Sequence, residues 1–247
     1  MLSGRPTDLI QSVSRALRIL EEVGESPGGL NAKQIALQCE LALPTTYHLV
    51  RTLAYEGYLV RRPNGNYGLG LEIASRFRDL VASMERPPQV HDVLKALSET
   101  TGHTAYFAQL VDGRVVLTDL FEGPQSPHLE ELVVGFDEGA HATALGKALL
   151  STLPARNRRS YLAEQGLRPF TGHTVIDEER LNHELAVSAQ TGMFTEQEQY
   201  RNEVCCAAVV IGGRCHGAIG LSVGAGYWQR LSPAIMRQLR VRAGDLT

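Results

Sequence analysis

The chain has 247 residues, of which 43% are hydrophobic and 21% charged, and its formal net charge is −3. This length favours two domains, the composition argues against extensive disorder, and the net charge does not by itself mark a nucleic-acid binder. The four cysteines form no Cys-x-x-Cys pair, and no apolar run approaches the ~18 residues needed to span a bilayer. We expect no leader segment. We therefore expect a cytoplasmic protein with reduced thiols.

The first seventy or so residues carry the pattern of three helices. Apolar residues at three- and four-residue steps over residues 8–23 predict the first helix. Asn31 with Gln34 three residues later is a capping-box pattern, and it predicts the start of a short second helix. Pro44 suits the first turn of a third helix, and Gly57 is its stop signal.

A hairpin follows these helices. Residues 58–62 and 67–69 are strand candidates, and the Asn64-Gly65 pair between them is a strong turn signal. Three helices followed by a hairpin is the layout of a winged helix-turn-helix, whose second paired helix enters the major groove of DNA. Winged units also serve as dimerisation modules in enzymes, so binding of a partner without specific DNA recognition is the alternative.

The start of the third helix supplies side chains that can bond bases or phosphates, and an arginine follows one turn later. Two further arginines lie at the base of the hairpin. Between residues 41 and 68 the three arginines stand against Glu56 alone, so three minus one gives a local charge of +2. The predicted DNA-binding residues are Pro44, Thr45, Thr46, Tyr47, His48, Arg51, Arg61 and Arg62.

An amphipathic segment over residues 71–84 is followed by the Arg86-Pro87-Pro88 break. We therefore divide the chain into a winged helix-turn-helix domain over residues 1–70, a linker helix over residues 71–88, and a second domain over residues 89–247. In the second domain we predict helices over 89–101, 142–153, 156–165 and 178–191, a last helix capped by Ser232, and strands over 104–110, 115–121, 129–134, 194–197, 205–211 and 217–223. Without strict βαβ alternation, this order predicts an α+β fold with a mainly antiparallel sheet.

Motifs for enzymatic chemistry are missing from the sequence. The Gly212-Gly213 pair lies in a predicted hairpin rather than before a helix, so it does not fit a nucleotide-binding loop. There is no serine nucleophile elbow, no His-Glu-x-x-His motif and no P-loop, and no two of the eight histidines have the four-residue spacing of zinc ligands. We predict no enzymatic activity, no metal and no cofactor.

Several stretches resemble the IclR family of bacterial transcription regulators. Residues 12–21 are similar to the opening helix of that family, and residues 43–53 with 56–59 are similar to its recognition region. The block His-Ala-Thr-Ala-Leu-Gly-Lys at residues 141–147 resembles a family hallmark, and the resemblance extends over about residues 8–246. The chain departs from the family pattern at His48, where an arginine is frequent, and at Ala42, where a proline is usual.

The resemblance implies a GAF-like effector domain that binds a small molecule against its sheet, and dimers or tetramers that bind operator DNA. Carried over by position, the effector-binding residues are Ala144, Leu145, Thr195, Cys205 and Ser222. An acidic residue is frequent at the position assigned to Thr195 in members that bind small acids, so the threonine implies a different ligand. We expect Lys147 to pair with a carboxylate or extend toward solvent, and His141 to be a helix-start or core residue. The predicted function is ligand-responsive transcriptional regulation.

Overall fold

The computed structural model describes residues 8–83, 87–126, 134–135, 138–212 and 217–246. Contacts divide the chain into two compact units, residues 1–83 and 84–247. The helix predicted as a linker falls in the first of these units. Within the described ranges, no helix combines the length and the apolarity needed to cross a membrane.

The first unit has the predicted order of three helices and a hairpin. Asn31 caps the second helix, because its Oδ1 accepts from the backbone N–H groups of Lys33 and Gln34 at 3.0 Å. The Gln34 side chain in turn accepts from the Asn31 N–H at 2.9 Å, which completes the capping box. The elements are α1 (Gln11–Gly24), α2 (Ala32–Gln38), α3 (Leu43–Tyr55), β1 (Leu59–Arg61), β2 (Tyr67–Leu69) and α4 (Leu71–Ser83).

One apolar core joins the three helices to the hairpin. Ile19 of α1, Ile35 of α2, Val50 of α3 and Leu59 of β1 are all buried in it. Most of the apolar face at the start of α1 does not reach this core. Val13 is 54% exposed and Leu17 is 55% exposed. A stripe of exposed apolar side chains is typical of a surface that contacts a partner.

The second unit is built on one antiparallel sheet, as predicted. Its strands lie in the order β4-β3-β7-β6-β5, and every neighbouring pair is antiparallel. The elements are α5 (Val90–Thr101), β3 (Ala105–Val111), β4 (Arg114–Phe121), α6 (Ala144–Thr152), α7 (Ala155–Gln165), α8 (Glu178–Thr191), β5 (Phe194–Gln197), β6 (Val204–Ile211), β7 (Gly217–Gly224) and α9 (Ala225–Gly244).

Helices cover both faces of this sheet. On one face, α5 and α9 contribute Leu94 and Trp228 to a core that also contains Cys205. On the other face, α6 and α8 pack with Leu149 and Leu181, and Cys206 lies on that side. Successive residues of a strand point to opposite faces, so a difference of one position along β5 or β6 decides which side chains reach the α6 side.

The prediction that Ser232 caps the last helix is wrong: α9 begins at Ala225 and continues through Pro233. A Ser-Pro pair is typical of a helix start, but here the preceding turn is secured by Trp228, which is 5% exposed. The strand predicted over residues 129–134 lies, except for its last residue, outside the described residues.

Candidate DNA-binding surface and candidate cavity

The outer face of α3 is polar and basic. Pro44, His48 and Arg51 are exposed, Thr45 is half-buried, and Tyr47 is 51% exposed. The N-cap residue Ala42 offers no side-chain acceptor to the first turn, and uncapped N–H groups at a helix start favour phosphate. These groups form a surface that suits a DNA groove.

Thr46 does not belong to this surface. Its side chain is fully buried, and its hydroxyl donates to the Ala42 carbonyl at 3.2 Å. We therefore remove Thr46 from the predicted contact set. Tyr55, which is 87% exposed, lies four residues after Arg51, and helical spacing places it on the same outer face.

The two arginines of the hairpin have different environments. Arg61 is exposed, whereas Arg62 is half-buried and donates from its guanidinium to the Pro27 carbonyl at 2.9 Å. The Arg62 side chain also lies over Gly68, where a Cβ would come within 2.6 Å of Nε. Arg62 thus holds the hairpin against the turn after α1, whereas the Arg61 side chain is exposed to solvent.

A cavity of about 50 Å³ lies between the sheet of the second unit and the start of α6. A Cβ at Gly146 would collide with the Ala140 carbonyl oxygen, so this glycine lets α6 begin close to the preceding loop. Most of the cavity wall is apolar, and its polar groups come from the strands, the start of α6 and the loop after β5. The polar lining residues are Tyr106, Glu138, Thr143, Glu196, Tyr200 and Arg201.

The structure brings together some of the residues predicted for effector binding. Ala144 and Leu145 line the cavity. Ser222 is buried beside it, and its hydroxyl lies 3.2 Å from the Tyr106 hydroxyl. Cys205 is in the core on the opposite face of the sheet, and Cys206 lines the cavity in its place, so we replace Cys205 by Cys206.

Thr195 lies beside a different, surface depression that it shares with His183 and Val187 of α8. The residue of β5 that lines the cavity is Glu196. Thr195 therefore does not imply a different ligand for this cavity, because an acidic side chain lines it one position later. The alternation of side chains between the two faces of β5 could have identified Glu196, since Phe194 and Glu196 are both buried and flank the half-buried Thr195.

Glu196 is the most unusual group of the cavity. It is 2% exposed, and its Oε2 accepts from the Gln199 backbone N–H at 2.9 Å. Among the described residues, Oε1 has no hydrogen-bond partner. Burial raises the pKa of Glu196 to about 7, and the nearby Cys206 thiol, the Gln199 and Tyr200 N–H groups and the Lys147 charge oppose this rise.

Lys147 pairs with a carboxylate, as predicted. The Lys147 side chain is 2% exposed, and its ammonium donates to Oε2 of Glu184 at 2.7 Å and to Oε1 of Gln199 at 2.6 Å. The Gln199 carbonyl accepts from the Thr174 hydroxyl. These bonds fix the loop that carries Tyr200 and Arg201 into the cavity wall.

His141 is a core residue. It is 4% exposed, its Nε2 lies 3.0 Å from the Arg168 carbonyl oxygen, and burial lowers its pKa. Across the part of the chain that the structure describes, no group of three His, Cys, Asp or Glu side chains is arranged to hold a metal ion.

Family models match both units. The IclR helix-turn-helix domain matches residues 12–63, and the bacterial transcriptional regulator IclR C-terminal domain matches residues 81–243. The HTH-type transcriptional regulator XynR of Escherichia coli K12 is 31% identical over 205 residues, which cover 82% of this chain and 81% of that protein. The transcriptional repressor IclR of the same organism is 28% identical over 83% of this chain and 76% of its own length.

The fold is also that of a solved IclR homologue from Microbacterium hydrocarbonoxydans in complex with 4-hydroxybenzoate. That structure has a TM-score of 0.73 and 19% identity, with 96% of this chain and 97% of that chain covered. The chain therefore belongs to the IclR family, and it is a ligand-responsive DNA-binding transcription regulator rather than an enzyme.

Proposed function

We propose that Tyr47, His48 and Arg51 on the outer face of α3 read operator DNA, and that Arg61 contacts a flanking phosphate. The observation that carries this proposal is the exposed polar and basic stripe of α3 beside an exposed wing arginine. Arginine can bond guanine bidentately or pair with phosphate, and tyrosine and histidine can bond either. Pro44 and Thr45 stay in the contact set because they lie at the helix start.

We also propose that the protein binds DNA as a homodimer, which can pair into a tetramer. Exposed apolar side chains along the start of α1 support this, because Ile10 is 67% exposed and continues the stripe of Val13 and Leu17. A two-fold dimer would cover such a stripe with its own copy. Operator DNA lies in the bacterial cytoplasm, and so we place the protein there.

The cavity beside Glu196 is the proposed effector site. Its apolar walls and few polar groups are typical of small-molecule sites. A related structure holds 4-hydroxybenzoate, which makes that acid the first compound to test. At about 50 Å³, the cavity is smaller than the ~150 Å³ that admits benzene, so an aromatic effector must displace part of the wall.

The DNA-binding part of this proposal is tested in two steps. Fragments that the protein binds are selected from the genome of the source organism, and their affinity is then measured over a salt series. We expect wild-type affinity to fall steeply with salt, and Arg51→Ala to weaken binding by about tenfold or more. Arg156→Ala is the matched control, since Arg156 is exposed on α7 in the other unit. If the folded protein binds no fragment at any salt concentration, the winged unit serves partner binding instead.

The effector half is tested on the protein bound to its selected fragment. A small-molecule panel that begins with 4-hydroxybenzoate is added, and release or tightening of DNA is measured by anisotropy. Leu145→Trp is expected to fill the cavity and abolish the response while leaving DNA affinity within about twofold. A response that persists in this variant would place the effector elsewhere.

A further inference from the structure

The outer face of α9 carries a row of arginines. Arg230, Arg237 and Arg240 are exposed and follow one another at steps of seven and three residues, which places them on one side of the helix. Trp228 and Leu239 of the same helix are buried in the core. The three guanidinium groups therefore form one surface row, which we call the α9 stripe. It extends over about 15 Å of the helix axis.

The charge of α9 is opposite to that of the unit to which it belongs. Residues 84–247 contain 15 arginines and lysines against 19 aspartates and glutamates, so their net charge is −4. Residues 225–244 contain four arginines and no carboxylate side chain, so α9 contributes +4 and the rest of the unit carries −8. Such a separation of charge turns the basic side of a molecule toward a polyanion.

The guanidinium groups of the α9 stripe are available to an anion. Within the part of the chain that the structure describes, none of the three arginines forms an ion pair. The Arg230 guanidinium lies over the Tyr227 ring, 5.4 Å from its centroid, and such stacking leaves the N–H edge of the guanidinium accessible. One Nη of Arg240 donates to the Thr191 carbonyl at 3.4 Å, which leaves its other N–H groups for a further acceptor.

The spacing of the α9 stripe suits the backbone of duplex DNA. Phosphates of one strand follow one another at about 3.4 Å along the axis, so the stripe is long enough to meet on the order of four of them. Pro233 and Ala234 lie between Arg230 and Arg237 and are exposed, so no long side chain keeps a phosphate backbone away from the helix. Arginine binds a phosphate through two parallel N–H groups. A row of arginines thus matches a regular row of phosphates.

We propose that the α9 stripe binds the phosphate backbone of duplex DNA beyond the bases that α3 reads. This inference rests on the proposed function above, because it takes the DNA that carries the operator as its occupant. Residues 1–83 contain nine arginines and lysines against eight aspartates and glutamates, a net charge of +1. The α9 stripe adds three cations to this small positive charge, and it does so without reading base sequence.

The test compares the full chain with a variant that carries Arg230→Gln, Arg237→Gln and Arg240→Gln. The selected operator fragment and an unrelated fragment of equal length are titrated over a salt series. We expect the slope of log affinity against log salt to decrease by about 2.7 or more, at ~0.9 for each lost phosphate contact, and the affinity for both fragments to fall about tenfold or more. Hydroxyl-radical footprinting should show lost protection in the flanks, and kept protection where Arg51→Ala loses it.

The matched control carries Arg156→Gln, Arg159→Gln and Arg180→Gln, at exposed positions of α7 and α8 in the same unit. It removes the same charge as the α9 variant. Because charges beyond about 8–10 Å are largely screened at physiological salt, its salt slope and footprint should remain those of wild type. Urea denaturation and sedimentation should show both variants folded and assembled as wild type.

The loss of DNA contacts must be specific to α9. A wild-type salt slope and footprint in the α9 variant, or an equal loss in the control, removes the α9 stripe as a DNA contact but leaves operator binding through α3. If the slope falls because the α9 variant sediments as a smaller oligomer, the stripe lies between copies of the chain, and the inference is also overturned. If wild type binds no fragment at any salt concentration, the proposed function fails, and the inference fails with it.

Discussion

The Lys147 ammonium lies 2.7 Å from Oε2 of Glu184 although the lysine side chain is 2% exposed. A buried cation is costly unless it is paired and hydrogen-bonded, and Lys147 meets this condition through Glu184 and Gln199. The family-like block at residues 141–147 thus ends in a structural ion pair. Through Gln199, the same pair supports the loop that closes one wall of the cavity.

Removing the lysine charge should destabilise the second unit. Lys147→Met keeps the approximate volume of the side chain, removes the donor of the Gln199 amide oxygen, and leaves Glu184 with the Arg180 guanidinium, whose Nε lies 3.7 Å from Oε1. Because Glu184 is 29% exposed and can recruit water, we expect a loss of about 1–3 kcal/mol in the free energy of unfolding, less than for a fully buried pair. Urea denaturation measures it.

The matched control is Lys95→Met, since Lys95 is exposed on α5; we expect its free energy of unfolding to stay within about 0.5 kcal/mol of wild type. Equal stability of the two variants would mean that the pair contributes nothing net. In Lys147→Met, hydrogen exchange should also quicken in the loop around Tyr200 and Arg201, because its anchor is lost.

Glu196 should make the protein less stable as the pH rises. Its pKa is about 7 in the folded protein against an ordinary 4.5, so the folded state holds more protons than the unfolded state between these values. The contribution of Glu196 to the free energy of unfolding is fully present below pH 4.5. It is lost as the pH rises to 7 and beyond, by about 3 kcal/mol in all. Glu196→Gln does not ionise and escapes this loss.

The measurement is the difference in unfolding free energy between Glu196→Gln and wild type, in urea at pH 5 and pH 8. The variant should gain stability relative to wild type by about 2–3 kcal/mol between these two pH values. Taking the difference cancels the other titrating groups. A difference that does not change with pH would show that the Glu196 carboxyl is not perturbed in the folded state.

Local signals in the sequence predicted the element order of both units, because caps, glycine stops and apolar periodicity act over a few residues. The Asn31 capping box and the hairpin around Gly65 are examples. It was harder to predict from the sequence which face of the sheet each side chain of β5 and β6 points to. A shift of one residue moves a side chain to the other side of a sheet, and this separates Thr195 from Glu196 and Cys205 from Cys206.

Other differences between the predictions and the structure arise from contacts between residues that are distant in sequence. Thr46 lies among polar residues at the helix start, and only packing against the core of the first unit shows that it points inward. Likewise, nothing local distinguishes Arg61 from Arg62. The distinction depends on the Pro27 carbonyl, which is distant in sequence.

Thr45 and Thr46 should respond differently to the same substitution. Thr46→Val keeps the shape of a buried side chain and removes one hydrogen bond, so we expect a stability loss of about 1 kcal/mol and operator affinity within twofold of wild type. Thr45→Val alters a half-buried position of the proposed DNA-binding surface and should weaken operator binding by about fivefold. Anisotropy with the selected fragment and urea denaturation check both. Weaker binding by Thr46→Val, with its fold intact, would restore that residue to the contact set.

The wing arginines provide the last matched pair. Arg61→Ala removes an exposed cation, so operator affinity should fall about equally for all bound fragments, and the slope of log affinity against log salt should decrease by about 0.9 for one lost phosphate contact. Arg62→Ala removes the bond to the Pro27 carbonyl at 2.9 Å and should instead lower stability by about 1 kcal/mol. Its salt slope should stay nearer to that of wild type. If the slope falls in Arg62→Ala and not in Arg61→Ala, then Arg62 leaves its carbonyl partner when DNA binds, and the two roles are exchanged.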